Sequence, residues 1–350
     1  MSPFSPSPMN TGTLRIAVIG AGHLGTIHSR LWLIQPNVTL SAIYDTHPDR
    51  TERLVAQLHA EFPHATVRPA SSLHDALTDC DAVTITTPTS SHANVAMAVL
   101  NAGKHCFIEK PLTSTLEEAE SLAPLAEKFG CVVHVGHIER FNPALLPLYP
   151  QSLHPYFIET HRLAPMKPRA LDVSVVLDLM IHDIDLALWF AQSPVRDIQA
   201  NGRTVLTRHT DIATARLVFD NGCVAHCTVS RLAPTTQRTM ALFSDDIHVY
   251  VDFATPRVDI FHFAPRGIAP SPLCAGSSLQ LSQLLGHTAY VRSKDVWHET
   301  PTLPSVNALC QEQQAFIEEL RFGKCNPRAT RLREAQASLA IAAEIMRKIQ

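Results

Sequence analysis

Residues 14–135 alternate short apolar runs with longer amphipathic stretches. Leu14 to Ile19 is an apolar run, followed by a helical pattern to about Ile34. Thr39 to Tyr44 is a second run, and Pro48 to Glu61 reads as a helix with Leu54, Val55 and Leu58 on one side. Ala82 to Thr86, His105 to Glu109 and Cys131 to Val135 read as further strands. Helices over Ser91 to Asn101, capped by Ser90 or Ser91, and over Ser114 to Phe129 separate them. Apolar strands alternating with helices predict a parallel, doubly wound sheet. Crossovers in such a sheet are right-handed. The strand ends carrying Gly20, Asp45, Thr87 and Lys110 therefore fall along one edge, where open α/β sheets bind ligands.

The pattern changes after about His137. Tyr156 to His161 reads as a strand and Asp178 to Phe190 as an amphipathic helix. From about Asp197 strands follow one another: Thr214 to Phe219, then Cys223 to Arg231 across an Asp220-Asn221-Gly222 turn, then runs near Met240 to Phe243, Ile247 to Phe253 and Arg257 to Phe263. Asn-Gly between apolar runs signals a hairpin, and adjacent strands predict an antiparallel sheet. Pro265 to Lys294 is rich in Pro, Ser and Gly and reads as a long loop, and helices over Ser305 to Arg321 and Thr330 to Ile349 close the chain. The expected organisation is a Ser/Pro-rich disordered tail over 1–12, a dinucleotide-binding Rossmann domain over 13–137, and an α/β substrate domain over 138–350 with a large, mainly antiparallel sheet.

Composition narrows the picture. A chain of 350 residues suits about two domains. A net charge of −3 with interspersed signs argues against nucleic acid as partner. No apolar run reaches the roughly eighteen residues of a membrane span, and the tail lacks the parts of a signal peptide. The eight cysteines show no Cys-x-x-Cys pairing, so no metal is expected and a reduced, cytoplasmic protein is.

Two constellations carry chemistry. Gly20, Gly22 and Gly25 form a GxGxxG turn between a strand and a helix, which suits a pyrophosphate resting on the helix N-terminus. Asp45 ends the second strand twenty residues past Gly25. Its carboxylate accepts ribose hydroxyls and repels a 2′-phosphate, which favours NAD over NADP, although Thr46 and His47 would tolerate a phosphate. At the end of a later strand, Glu109-Lys110-Pro111 aims a lysine from a stiff turn into the same crevice. The second constellation is Asp178-Leu179-Met180-Ile181-His182, whose acid and imidazole share one face of an α-helix. His182 as base with Asp178 orienting it is one reading; a capping Asp178, a core His182 and a metal pair are the others. Asp183 and Asp185 read as solvated or capping residues. Arg162, Lys167 and Arg169 read equally well as a diphosphate grip or as a basic surface loop.

These motifs in this order resemble the Gfo/Idh/MocA oxidoreductases: Gly20-Ala21-Gly22-His23-Leu24-Gly25-Thr26-Ile27-His28, Thr87-Pro88 with His92, Glu109-Lys110-Pro111, and Asp178-x-x-x-His182. The resemblance implies NAD(P)-dependent oxidation or reduction of sugar and polyol carbons, and a carboxyl-terminal open sheet that builds oligomers, dimers or tetramers. It implies that Lys110 and His182 flank the reacting carbinol with Asp178 beside them, either of the first two serving as base. It also implies that His23, Leu24, Thr87, Pro88, His92 and Glu109 line the cofactor crevice, and that the Lys110–Pro111 bond is cis. Gly136 to Pro143 and Leu177 to Asp185 are most similar to members that oxidise the 3-hydroxyl of UDP-N-acetylglucosamine. Those members make a ketone that an aminotransferase converts for glycolipids of the lipid A type. The family's Gly-rich stretch is replaced here by Asp172-Val173-Ser174-Val175-Val176-Leu177, which bears on the exact sugar. Another sugar or inositol dehydrogenase, or a non-enzymatic NAD-binding regulator, is the alternative. Retention of Lys110 and His182 argues against the regulator.

Overall fold

A computed structural model describes residues 12–149, 153–167, 173–265 and 294–349. They fall into two compact units. The first combines 12–141 with Val306–Ala343; the second combines the described parts of 142–305 with the last residues.

The first unit is a wound sheet. Its elements are β1 (Leu14–Ile19), α1 (His23–Ile34), β2 (Val38–Tyr44), α2 (Pro48–Glu61), β3 (Arg68–Pro69), α3 (Leu73–Thr78), β4 (Ala82–Ile85), α4 (Thr89–Asn101), β5 (His105–Glu109), α5 (Leu116–Phe129) and β6 (Val133–Gly136). The strands lie in the order β3-β2-β1-β4-β5-β6 and pair in parallel. β4 and β5 are buried along nearly their whole length, as helix-covered parallel strands must be. Ile16, Val18, Trp32, Leu40, Ile43, Leu58 and Phe107 build the core around them. The chain order reverses between β1 and β4, so the turns after those two strands open onto the switch point of the sheet. The sequence does not announce the two-residue β3 or the short α3. α4 starts at Thr89 behind Pro88, with no side-chain cap, so Ser90 and Ser91 are not its cap.

The boundary expected at 137 leaves out one feature. The helix α7 (Ala308–Phe322) and the strand β15 (Thr330–Arg331) belong to the first unit. β15 pairs antiparallel with β6 and so covers the sheet edge. Phe316 meets Phe107 edge-on at 5.9 Å, and Glu319 accepts a hydrogen bond from His134 of β6 at 2.8 Å. These apolar and charged partners lie 209 and 185 residues apart in sequence, which local periodicity does not register.

The second unit is an eight-stranded sheet in the order β14-β13-β12-β11-β7-β10-β9-β8. Its strands are β7 (Phe157–Leu163), β8 (Val195–Arg203), β9 (Ile212–Phe219), β10 (Val224–Ser230), β11 (Gln237–Phe243), β12 (Ile247–Asp252), β13 (Arg257–Pro265) and β14 (Lys294–Glu299). Only the β7–β10 pair is parallel; the other neighbours run antiparallel. Burial alternates along β9 and β10, as it does where one face is covered and the other is not. α6 (Ile181–Ala191) packs against β7 and β10. The expected hairpin joins β9 to β10. Gly222 turns at φ 89°, a left-handed value that suits glycine, and the Asn221 side chain accepts the Cys223 N–H at 3.1 Å. Cys223 and Cys227 are buried, and burial pushes their thiols up to about 11 and about 12, as packing cysteines rather than nucleophiles. The long loop expected over Pro265 to Lys294 and the amino-terminal tail lie almost wholly outside the described residues.

Candidate active site

The turn after β1 behaves as its glycines require. Gly20 sits at φ 108°, and a Cβ there would come within 2.8 Å of the Thr86 backbone. A Cβ on Gly25 would lie 1.8 Å from the Gly20 carbonyl oxygen, so only glycine lets α1 approach β1 this closely. A Cβ on Gly22 would meet open space, which is the room a pyrophosphate needs above the turn. Gly22 caps α1 without a side chain, and His23 and Leu24 stand exposed in the first turn. The leading N–H groups of the helix therefore keep their capacity for an anion.

Asp45 is fixed beside that turn. Its carboxylate accepts the Ala21 N–H at 2.8 Å and the His47 N–H at 2.9 Å. Burial alone would raise its pKa, but these backbone donors hold the group below the usual carboxylate range. It is thus ionised and oriented. Thr87 follows β4, and its buried hydroxyl finds no hydrogen-bond partner among the described residues.

His92 is corrected by the structure. It was expected to line the crevice, but it is 2% exposed and sits between two carbonyls, with Nδ1 2.9 Å from that of Pro111 and Nε2 2.9 Å from that of Thr87, the protonated ring nitrogen donating to its neighbour. It straps the end of β4 to the turn after β5. Pro88 is exposed beside it.

Glu109 is likewise not a crevice-lining side chain. It is buried, accepts from His28 Nε2 at 2.7 Å, and accepts the Lys110 N–H at 3.2 Å. Burial would raise its pKa, yet His28 and then Lys110 keep it below the usual range. His28 is in turn held by Gln313 of α7, whose amide donates to Nδ1 at 3.1 Å. A buried chain Gln313–His28–Glu109 therefore runs beneath the backbone of Lys110. Lys110 itself is half-buried, and the Lys110–Pro111 bond is cis. The sequence shows His28 only as part of the glycine motif, three residues beyond Gly25, and gives no sign of Gln313.

In the second unit Asp178 and His182 differ from expectation in their backbone. Residues Val176–Met180 form a π-helical turn, with the Ile181 N–H reaching the Val176 carbonyl five residues back, and α6 begins only at Ile181. Asp178 lies in that turn and His182 at the second position of α6; both are half-buried. Asp178 is therefore not the helix cap. Single π turns are rare and concentrate at functional sites.

Asp183 and Asp185 are each 1% exposed, which overturns their reading as solvated residues. Arg162 explains the first. It is 2% exposed, and its Nε and Nη2 both donate to Asp183 Oδ1, at 3.0 and 2.8 Å. A guanidinium buried in this way is spent on the core, so Arg162 is withdrawn as a diphosphate grip. Its position on β7, where burial alternates residue by residue, was the available signal. Lys167 is exposed, and Arg169 lies outside the described residues.

Residues 14–137 match the Gfo/Idh/MocA oxidoreductase family's NAD-binding Rossmann domain, and residues 157–251 match its carboxyl-terminal domain. The chain belongs to the Gfo/Idh/MocA family. Among curated family members it is 38% identical over 261 residues to the UDP-N-acetylglucosamine 3-dehydrogenase of Acidithiobacillus ferrooxidans, across 74% of this chain and 79% of the relative. A solved structure of that organism's enzyme, GnnA, superposes with a TM-score of 0.82 at 32% identity, covering 96% of this chain and 97% of the other. The scyllo-inositol 2-dehydrogenase (NAD(+)) of Bacillus subtilis is 27% identical over 243 residues, 63% of this chain and 68% of the relative. Family membership makes this an oxidoreductase with NAD as its cofactor. The residues fit that cofactor: space over Gly22, an α1 N-terminus without a side-chain cap, an ionised Asp45 and a buried, unpartnered Thr87 hydroxyl.

Proposed function

We propose that this chain oxidises the 3-hydroxyl of UDP-N-acetylglucosamine to the ketone. The observation that carries the reading is 38% identity maintained over 79% of the Acidithiobacillus ferrooxidans enzyme. Bound NAD supplies the hydride acceptor. Gly20 to Gly25 seat its pyrophosphate, and Asp45 accepts the adenosine ribose hydroxyls and disfavours a 2′-phosphate. His182 takes the proton from the sugar hydroxyl, with Asp178 orienting the imidazole. Lys110 donates a hydrogen bond to the same oxygen as negative charge grows on it. With His182 removed, Lys110 is the group left to act as base. The ketone suits an aminotransferase as the next enzyme, in synthesis of an amino-sugar glycolipid of the lipid A type. The protein acts as a cytoplasmic homo-oligomer in this reading; no helix among the described residues is long and apolar enough to cross a membrane.

The test mixes the protein with UDP-N-acetylglucosamine and either NAD or NADP and follows the absorbance of reduced cofactor. Turnover with NAD well above that with NADP is expected, and free N-acetylglucosamine should be a poor substrate. A second reading, an inositol dehydrogenase, is favoured by the 27% identity to the Bacillus subtilis enzyme. Turnover of scyllo-inositol with none of the nucleotide sugar would replace the first reading by the second.

A further inference from the structure

With Arg162 spent on Asp183, the substrate's diphosphate lacks its expected holder in the second unit. The loop between β8 and β9 offers another. It is wrapped around a single carboxylate. Asp211 is fully buried and accepts the N–H groups of Val205, Leu206 and Thr207 at 2.8, 2.7 and 3.0 Å, and the Thr207 hydroxyl at 2.7 Å. These donors hold Asp211 far below the usual carboxylate range, against the burial that would raise it. The loop conformation is thereby set before any ligand arrives.

What the loop presents is cationic. Arg203, Arg208 and His209, with the hydroxyl residues Ser174, Thr204 and Thr210, line a cavity of about 330 Å³. Arg203 and Arg208 are exposed, and neither has a carboxylate partner among the described residues. Two exposed guanidiniums without a carboxylate partner among the described residues form a donor set for a doubly charged oxyanion, beside Gly202, Met346 and Ile349, which also line the cavity. The volume is at the small end for a ligand pocket, so it suits the phosphate portion of a larger molecule rather than the whole.

The cavity is also tied to the proposed catalytic turn. The Thr210 carbonyl accepts the Val175 N–H at 3.0 Å, and the Ser174 carbonyl accepts the Asp178 N–H at 3.1 Å. Arg231 adds a third link, donating to the Val173 carbonyl at 2.6 Å while its Nε lies 3.9 Å from Asp211. A ligand anchored at Arg203 and Arg208 is thus joined by two short steps of backbone hydrogen bonding to the residue that orients His182.

We infer that this cavity, with Arg203 and Arg208 as its principal donors, holds the diphosphate of the nucleotide-sugar substrate. The inference rests on the function proposed above. Both arginines are on the surface, so their substitution should leave folding intact. Each removes a charge-assisted hydrogen bond to the diphosphate, which predicts a rise in KM of roughly tenfold or more.

Calorimetric titration of UDP and of pyrophosphate into the wild type and an Arg203→Ala/Arg208→Ala variant is paired with kinetics on UDP-N-acetylglucosamine. The expected result is weaker binding of both anions, a higher KM for the nucleotide sugar and a kcat within about twofold of wild type. Arg208→Lys should recover part of the affinity, since it restores the charge without the fork. An unchanged KM overturns the inference, whether or not pyrophosphate binding is lost, because a lost anion site would then be unrelated to substrate. If the wild type binds UDP through these arginines but does not oxidise the acetylglucosamine sugar, the choice of sugar fails and the diphosphate site stands.

Discussion

At Lys110 the chain is held from beneath by side chains, whereas at Asp178 it is held by the backbone itself. Under Lys110, Gln313, His28 and Glu109 pass hydrogen bonds from α7 to the turn that carries the lysine, in a setting where His28 is fully buried. Around Asp178 main-chain bonds carry the approach, with the Arg231 side chain donating to the Val173 carbonyl beside them. The π turn Val176–Met180 fixes where the carboxylate leaves the helix, and Ser174 and Thr210 anchor the approach through main-chain bonds. A brace of side chains fails when one member is removed. A backbone device survives most single substitutions, so mutations there report on chemistry rather than on position.

The largest effect should come from the chemistry itself. His182→Asn should lower kcat by roughly two to four orders of magnitude, the usual worth of a general base, with NAD affinity unchanged. Lys110→Met should also lower kcat. Steady-state kinetics with cofactor binding measured separately would decide it. If His182→Asn keeps near-normal turnover, His182 is structural and Lys110 takes over as base.

A second substitution tests position without chemistry. Arg162→Ala removes one partner of a buried pair and leaves Asp183 without its guanidinium, which should cost about 3–5 kcal/mol of stability. Urea unfolding would measure it. An Arg162→Met/Asp183→Leu variant, which removes both charges, should recover most of that loss. Among molecules still folded, KM for the nucleotide sugar should stay near wild type. A large rise in KM with unchanged stability would return Arg162 to the substrate.

What was legible in the sequence divides along the same line. Gly20, Gly22, Gly25, Asp45 and the Asn221-Gly222 hairpin could be read because each answers a local backbone requirement within a few residues. So could the succession of buried strands, whose spacing alone gives the wound sheet. The π turn was not, since Asp178 and His182 show the same four-residue spacing in an α-helix. Arg162 and His92 were misread because a charged or titratable residue near a crevice looks the same in sequence whether it faces the ligand or the core. Their partners, Asp183 and the carbonyls of Thr87 and Pro111, are set by tertiary packing. Gln313 and Phe316 were invisible for a related reason: they reach the first unit from the far end of the chain.

The brace under Lys110 can be broken at its outermost member. Gln313→Leu removes the donor to His28 while keeping an apolar side chain in a buried position. Loss of that bond should cost about 1–3 kcal/mol of stability. It should also lower kcat more than it changes KM for NAD, because the pyrophosphate turn is untouched while the Lys110 turn loosens. Gln313→Glu, which keeps an acceptor but not the donor, should behave like Gln313→Leu if the amide N–H is what matters. Equal loss of kcat and of NAD affinity would mean that the chain merely supports the sheet.

The smallest effect separates this brace from a second buried histidine–glutamate pair in the same unit. Glu319 of α7 accepts from His134 and pairs with Arg331. It borders the sheet edge at β15 and makes no hydrogen bond to the Lys110 turn among the described residues, meeting the brace only through the packed rings of His134, Phe316, Phe107 and His28. Burial would raise its pKa, but His134 and Arg331 hold it down, to about 2 against an ordinary 4.5. A depressed carboxylate pKa means that the folded state binds its proton less readily than the unfolded one. The pair therefore contributes its full share of stability above the ordinary value and loses it as pH falls from there through about 2. Glu319→Gln has no such proton to take up. Its stability deficit relative to wild type, read from urea midpoints, should shrink as pH is lowered from about 5 to about 3. kcat near neutral pH should stay close to wild type. A deficit independent of pH would show that Glu319 contributes through packing and not through its charge, and a large loss of kcat would join it to the brace under Lys110.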